Sequence, residues 1–492
     1  MNRLSGISSL TFLAVIFVYN LPFAGWREEV RISEPGNCSY PDIVVQGDNL
    51  HVVYTNEENG DKISYVRSGD GGHTWIEYIV LSDTLNSDEA LFPRISLNDR
   101  NLLAVWDNSS NEGYRNKNIG YSLSEDNGQT WSGVEYVFHP NIDHIYYLSA
   151  CNTGPIINVT YSDYLNPNPI YNNVRSTDFG QSWSGRNELF LAAETGTSDM
   201  AAYDSTFIMA WYGNFDGDDP WDTYLITSHD AGESWSGNQP LVPPDERSSR
   251  WPSITANEDG NFAICWTDFR YSPHGLSGDI FIRYSFDAGT TWVDETQLTF
   301  THLDAYPDVC WHGDTLDVVF ERGGLFNVSV YHIRSTDGGL SWSEETRLDH
   351  DDSDSYWPQV EASNGRIYVV WADFRYQPEY EIYSGIYFAH YEEGVGLDET
   401  LEIPSGYEEI SVYPNPFNST TLISYSNLKG GEIEIYDIAG RLVRTLITGG
   451  GKEGTITWDG TDATGSAVSS GIYFVRANVP EGRSSIKLVV LR

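Results

Sequence analysis

Basic residues are scarce in this chain. Only 28 of its 492 residues are Lys or Arg, against 71 Asp and Glu, which gives a formal net charge of −43. That balance argues against nucleic-acid and anionic-membrane partners, because phosphate binding needs Lys and Arg clusters. Cysteine is equally sparse: Cys38, Cys151, Cys265 and Cys310 are too few for a dense disulfide scaffold. Cys265 and Cys310 fall in neighbouring repeats, and both a disulfide and two buried thiols stand open. No His pair or Cys cluster has zinc spacing. Long apolar runs are absent after the first 25 residues, so the mature chain has no transmembrane segment. Residues 1–25 carry one basic residue, Arg3, before LTFLAVIFVYNLPFAG, and read as a secretory signal peptide.

What the chain does have is repetition. The pattern Ser-x-Asp-x-Gly-x-Ser/Thr-Trp occurs from Ser68, Ser124, Ser176, Ser228, Ser285 and Ser335, at spacings of 56, 52, 52, 57 and 50 residues. A period of that length marks stacked supersecondary units that cannot bury their hydrophobic faces singly. Ser and Asp tie down local backbone N–H groups, Gly admits positive φ, and Trp re-enters the next strand as an apolar plug. Upstream of each box lie two β-branched strands joined by a polar turn, as in YPDIVVQGDNLHVVYTN from Tyr40 and WPSITANEDGNFAICWTD from Trp251. A third strand precedes the box and a fourth follows its Trp, so each repeat is one four-stranded unit. Upstream motifs number seven and boxes six, and the last unit stops near Tyr391. WREEVRISEPGNCSYP from Trp26 matches WSEETRLDHDDSDSYWP from Trp342 in shape. It therefore supplies the missing outer strand and covers an exposed sheet edge.

The boxes resemble the Asp box of sialidase-like, BNR-repeat β-propellers. The expected fold is all-β: a seven-bladed β-propeller over residues 26–395, then a small, Ig-like β-sandwich. Under that resemblance Asp70, Asp126, Asp178, Asp230, Asp287 and Asp337 are structural, because the boxes lie on the rim opposite the functional face. From residue 410 the composition shifts: the tail is almost balanced in charge, so the remainder carries the whole acidic excess. YPNPFN, IYDIAGRLV, the WDG turn, SGIYFVRA and KLVVLR resemble a type IX secretion system type A sorting domain over residues 410–492. Residues 396–409 form an acidic linker. The resemblance implies the type IX machinery as a partner, and secretion or display on the outer-membrane surface of a Gram-negative bacterium.

Candidate site residues fall in three groups. Tyr40, Phe92, Tyr147, Trp251, Tyr306 and Trp357 recur just before the innermost strands, where they either pack between repeats or stack on a sugar ring. Asp216, Asp218 and Asp219 are hard oxygen donors crowded into one loop that suits Ca²⁺, without the full EF-hand pattern; the motifs require no other cofactor. Sialidases, as relatives, use three arginines, a Tyr–Glu pair and an Asp. Here Phe92-Pro93-Arg94-Ile95 alters the order of the family's arginine motif, and seven units depart from the family's six. Arg270 and Arg375, in WTDFRY and WADFRY, supply the other two arginines or simply pair with Asp268 and Asp373. Tyr380 and Glu381 are the nearest Tyr–Glu combination. The expected function is binding of extracellular glycan or protein, with sialidase or other glycoside hydrolase activity as the alternative.

Overall fold

The computed structural model describes residues 25–392, apart from residues 35, 58–59, 83–88, 110–117, 138–144, 164–167, 216–219, 243–246, 273–276, 325–326, 350–352 and 376–383. It also describes residues 410–490, apart from 414–416, 418–419, 426–431, 438–440, 449–453, 470 and 480–481. Residues 1–395 and 396–492 form two compact units. The expected signal peptide (all but its last residue) and the linker lie outside the described residues, as do Asp216, Asp218, Asp219, Tyr380 and Glu381.

The first unit is built from antiparallel sheets, seven among the described residues. Sheet one pairs Cys38–Gln46, Asn49–Asn56, Lys62–Ser68 and Ile79–Val80 in sequence order, and sheets two to six repeat this meander. Their first strands are Glu89–Asn98, Ile145–Thr153, Glu194–Tyr203, Ser249–Ala256 and Asp304–His312; that of sheet seven is Ser355–Ser363. Each first strand touches the next, and the first strand of sheet seven touches that of sheet one, so the row closes on itself. Sheet seven takes its outer edge from the other end of the chain: Trp26 pairs with Tyr391, and Val30 and Arg31 with Phe388 and Tyr387. Arg27 binds Glu392 through Nε (3.1 Å) and Nη2 (2.5 Å).

Second strands are apolar on both faces because a neighbouring sheet covers each face. One aromatic stands at the same register in all seven: Tyr54, Trp106, Tyr161, Trp211, Trp266, Phe320 and Trp371, each wholly buried. These are the plugs of the fold. The box tryptophans, expected in that role, are half-buried. Each box Trp packs on the sheet before its own: Trp75 on Phe388, Trp131 on Tyr65, Trp183 on Tyr121.

The box turns share one geometry. The Gly N–H donates to the Ser Oγ at 2.8–2.9 Å. The closing Ser or Thr N–H donates to the Asp Oδ1 at 2.8 Å, and its hydroxyl to Oδ2 at 2.5–2.7 Å. Accepting those bonds holds Asp70, Asp126 and Asp230 down at about 2. The four expected cysteine positions are all free thiols.

In the second unit Ile410–Tyr413, Thr421–Tyr425 and Gly454–Trp458 form one sheet. Leu442–Ile447, Glu432–Asp437, Gly471–Val479 and Gly482–Val490 form another. Buried Ile423, Ile433, Ile435, Trp458, Val475 and Leu488 belong to a single cluster contributed by both. The Trp458 indole N–H donates to Thr461 O at 2.9 Å, which anchors the WDG turn.

Gly72 has φ +88°, and a Cβ there would stand 2.3 Å from the Phe388 ring of the preceding sheet. Gly72→Ala should therefore destabilise the first unit by about 2 kcal/mol or more, through backbone strain and overpacking together. Denaturant melts check this; a loss under about 0.5 kcal/mol would remove the box turn from the list of inter-sheet contacts that matter.

Candidate functional site

Every first strand is interrupted by a bulge in which two residues oppose one on its partner, as Tyr40 and Pro41 do between Ser39 and Asp42. In six of the seven the aromatic singled out from the sequence sits at the bulge in the left-handed region. The φ values are 51° for Tyr40, 52° for Phe92, 55° for Tyr147, 53° for Trp251, 47° for Tyr306 and 53° for Trp357. Bulky side chains rarely hold that conformation, and strain of this kind collects at binding sites. Pro41, Pro93, Pro252, Pro307 and Pro358 follow five of them, at points where the ladder is already broken and no N–H is required.

The bulge brings aromatics from consecutive sheets together. Tyr40 contacts Phe92 at 4.5 Å and Trp357 at 4.2 Å between centroids, and Trp251 stacks on Tyr306 at 4.1 Å. All six rings remain half-buried, so packing against one another and exposure of an edge or face coexist. Sheet four carries Thr197 at this place. Tyr212 reaches over Gly196 instead, where a Cβ would lie 2.1 Å from its ring, and approaches Trp251.

Two residues further along each first strand is a layer that composition did not reveal: Asp42, Arg94, Ser149, Asp199, Ser253, Asp308 and Gln359. Its acids stitch neighbouring sheets. Asp42 accepts the Ile95 N–H at 2.7 Å, Asp199 that of Ile254 at 2.8 Å, and Asp308 that of Val360 at 2.7 Å, with the Ser253 hydroxyl also donating to Asp308 at 2.7 Å. Burial pushes the Asp42 carboxyl up to about 6 despite Arg94, and the Asp308 carboxyl up to about 7, with Asp199 and Asp42 adding to the latter. Glu361, on the same strand as Gln359, is raised to about 8 by burial and by Asp308, Asp42 and Asp199. The first strands close in a ring, so these residues form one layer around a shared axis, where the acids raise one another. Glu321, from a second strand, accepts the Trp357 N–H at 2.7 Å, and its burial raises it to about 8.

The three sequence-predicted arginines are held in different settings. Arg94 belongs to the axial layer. Arg270 binds Asp268 (Nη2 2.7 Å) and Glu295 and covers the Phe281 ring, all within sheet five or its outer edge. Arg375 binds Asp373 at 2.5 Å and Glu29 at 2.7 Å and covers Tyr387, in sheet seven. Arg322 repeats the device in sheet six with Asp304 and Glu345. The pairing of Asp268 with Arg270 and Asp373 with Arg375 thus describes the observed contacts, each directed within its own sheet. Asp70, Asp126, Asp178, Asp230, Asp287 and Asp337 sit in turns bonded to the first-to-second-strand hairpins, as Gly71 N–H to Asp48 O shows, at the end of the sheets away from the bulges.

A raised carboxyl binds its proton more tightly in the folded state than unfolded. Asp308 therefore favours folding most below pH ~4, and that contribution is lost as pH rises towards about 7. His51 and His390, whose folded values are depressed by burial, oppose this slope. The difference between wild type and Asp308→Asn isolates the acid. The variant should gain stability relative to wild type between pH 5 and pH 8, measured by thermal melts, and a pH-independent difference would contradict the assignment.

Residues 411–491 match the family described as the secretion system C-terminal sorting domain. No curated protein matches the chain. An ulvan lyase of polysaccharide lyase family PL25 superposes with a TM-score of 0.51 at 11% identity, over 74% of this chain and 94% of its own. A Dyadobacter fermentans protein of unknown function gives 0.47 at 13%, over 64% and 97%; the phage phi92 endosialidase gives 0.47 at 10%, over 94% and 87%. At such identities the likeness concerns fold: an all-β chain of repeated four-stranded sheets of the β-propeller kind. The C-terminal unit is a secretion system sorting domain, which indicates secretion or display at the cell surface.

Proposed function

We propose that the first unit is a seven-bladed Asp-box β-propeller that binds an extracellular glycan over its aromatic face. The second is read as a β-sandwich that directs the protein through the type IX system. The observation that carries the binding reading is the set of half-exposed aromatics held at positive φ, five of them in contact across sheets as Trp357–Tyr40–Phe92 and Trp251–Tyr306. Sugar rings present apolar C–H faces that such platforms cover, while polar groups between the rings fix orientation. The axial layer holds three acids, Asp42, Asp199 and Asp308, against Arg94 as its one cation, which favours neutral over anionic saccharides. The full-length protein should bind a neutral glycan on an array. Trp251→Ala and Trp357→Ala should each weaken that binding by about tenfold or more while retaining the far-UV spectrum. Array signals confined to sialylated glycans, or unaffected by both substitutions, would sink this reading.

A hydrolytic role rests on one observation, the buried Glu321 carboxyl beside Trp357, raised to about 8. Such a group is protonated at neutral pH and suits a general acid. Turnover of aryl glycosides that disappears in Glu321→Gln would favour catalysis over binding alone.

Export is tested separately. A chain ending at residue 395 should fold and accumulate in the periplasm of a host with type IX secretion. Its normal appearance at the surface or in the medium would show that the address lies elsewhere.

A further inference from the structure

The junction where the ring closes differs from the others in its chemistry. At the junction of sheets three and four, Arg175 pairs with Glu233 of the next box at 3.3 Å. The corresponding places between sheets seven and one hold His390 and His73. His390 precedes Tyr391, opposite Ile367, as Arg175 precedes Ser176, opposite Ile157. His73 and Glu233 are each the fifth residue after the first Ser of their box or its equivalent. Where that junction has an ion pair, the closing junction has two imidazoles, and Glu392 stands between them.

Nothing bonds these three directly. Glu392 Oε1 lies 3.7 Å from His73 Nε2 and 3.6 Å from His390 Nε2, beyond hydrogen-bond length. His390 is 6% exposed, and its buried Nε2 has no hydrogen-bond partner, an arrangement that costs free energy unless something occupies it. One donor atom from each residue lies within 4.8 Å of the other two. Imidazole nitrogens and a carboxylate oxygen at about 2.0–2.2 Å from a tetrahedral ion stand about 3.3 Å apart, so only a small contraction is needed. His73 is exposed on its turn. The nearby cations leave Glu392 Oε1 without a hydrogen bond: Arg27 occupies the other oxygen, Oε2, at 2.5 Å, and Arg366 Nη1 binds Asp48 at 2.7 Å, while its Nε stays 3.8 Å from Oε1.

We propose that His73, His390 and Glu392 bind a borderline divalent metal ion of the Zn²⁺ type, which staples the first box turn to the last strand of the ring. Two nitrogens and one oxygen suit Zn²⁺ and disfavour Ca²⁺, which takes oxygen ligands in larger number. Sequence spacing gave no sign of the site, because His73 and His390 lie at opposite ends of the first unit. An ion held only by the folded ring raises its stability by mass action.

The test uses full-length protein stripped with EDTA. Titration calorimetry with ZnCl₂ should show one equivalent bound, and Zn²⁺ should raise the melting temperature. Co²⁺ in place of Zn²⁺ should give the intense visible bands of a tetrahedral site. His73→Gln is the variant of choice, since Gln129 and Gln181 occupy the same place in the second and third boxes. It should weaken Zn²⁺ binding by about tenfold or more and abolish the rise in melting temperature. Undiminished Zn²⁺ binding in His73→Gln, a Ca²⁺ stabilisation that His73→Gln abolishes, or absence of tetrahedral Co²⁺ bands in the wild type would each overturn the proposal; the last decides without any variant.

Discussion

The seating of each box turn on the sheet before it is the contact on which the ring depends. Gly128 lies so close to Tyr65 that a Cβ would stand 1.8 Å from the phenolic oxygen; Gly289 and Gly339 approach Ile208 and Tyr284 in the same way. His51 completes one such joint, with Nδ1 2.7 Å from Tyr65 Oη and Nε2 3.1 Å from Asn127 of the next box. The second strands have no polar face to present to water, so a sheet deprived of a neighbour exposes a row of aliphatic side chains and a large aromatic. Stability of this kind resides in interfaces, and a single sheet has little of its own.

Strain at the bulges is the counterpart of that rigidity. Six bulky residues held near φ +50° each cost on the order of 1–3 kcal/mol. They persist because stitching on either side fixes the chain. Two places on, Asp42 and Asp308 accept an N–H from the next sheet, as Ser253 Oγ does from Val309 at 3.3 Å, and Ser149 contacts a hydroxyl of the next sheet at 3.2 Å; Arg94 and Gln359 instead donate to the carbonyl of the proline before them, at 3.1 and 3.0 Å. The aromatics therefore do not choose between core and surface. Neighbouring rings cover part of each, and the bulge keeps the rest of each ring available to solvent.

Much of the fold was legible because it repeats. The box spacing, the aromatic-Pro motif and the likeness of the Trp26 segment to the Trp342 segment each report a local backbone requirement. Such requirements leave a trace in sequence: Gly where φ is positive, Pro where a donor is missing. The axial layer left none, since Asp42, Arg94, Ser149 and Gln359 share a position and no chemistry. Only the register of the strands reveals their equivalence. Glu321 was equally silent, being one acid among many whose burial depends on the neighbouring sheet. The box tryptophans were over-read: their size suggested plugs, whereas the second-strand aromatics take that role.

Closure of the ring places a particular demand on the last sheet, which has no box of its own and so no covalently attached outer strand. Residues 25–31 answer it by backbone pairing with the strand Gly385–Glu392. Trp26 meets His332 of sheet six at 4.9 Å and Tyr391 at 5.8 Å. It joins the cluster containing Val319 and Val330. That is the position a box tryptophan takes, reaching back to the sheet before its own. The Arg27–Glu392 and Arg375–Glu29 pairs reinforce the seam, but ion pairs with partly exposed members contribute little singly. Backbone pairing and the burial of Trp26 carry most of the closure. The chain start thus does for the seventh sheet what six Ser-x-Asp-x-Gly turns do for the others, with the tryptophan kept and the turn dispensed with.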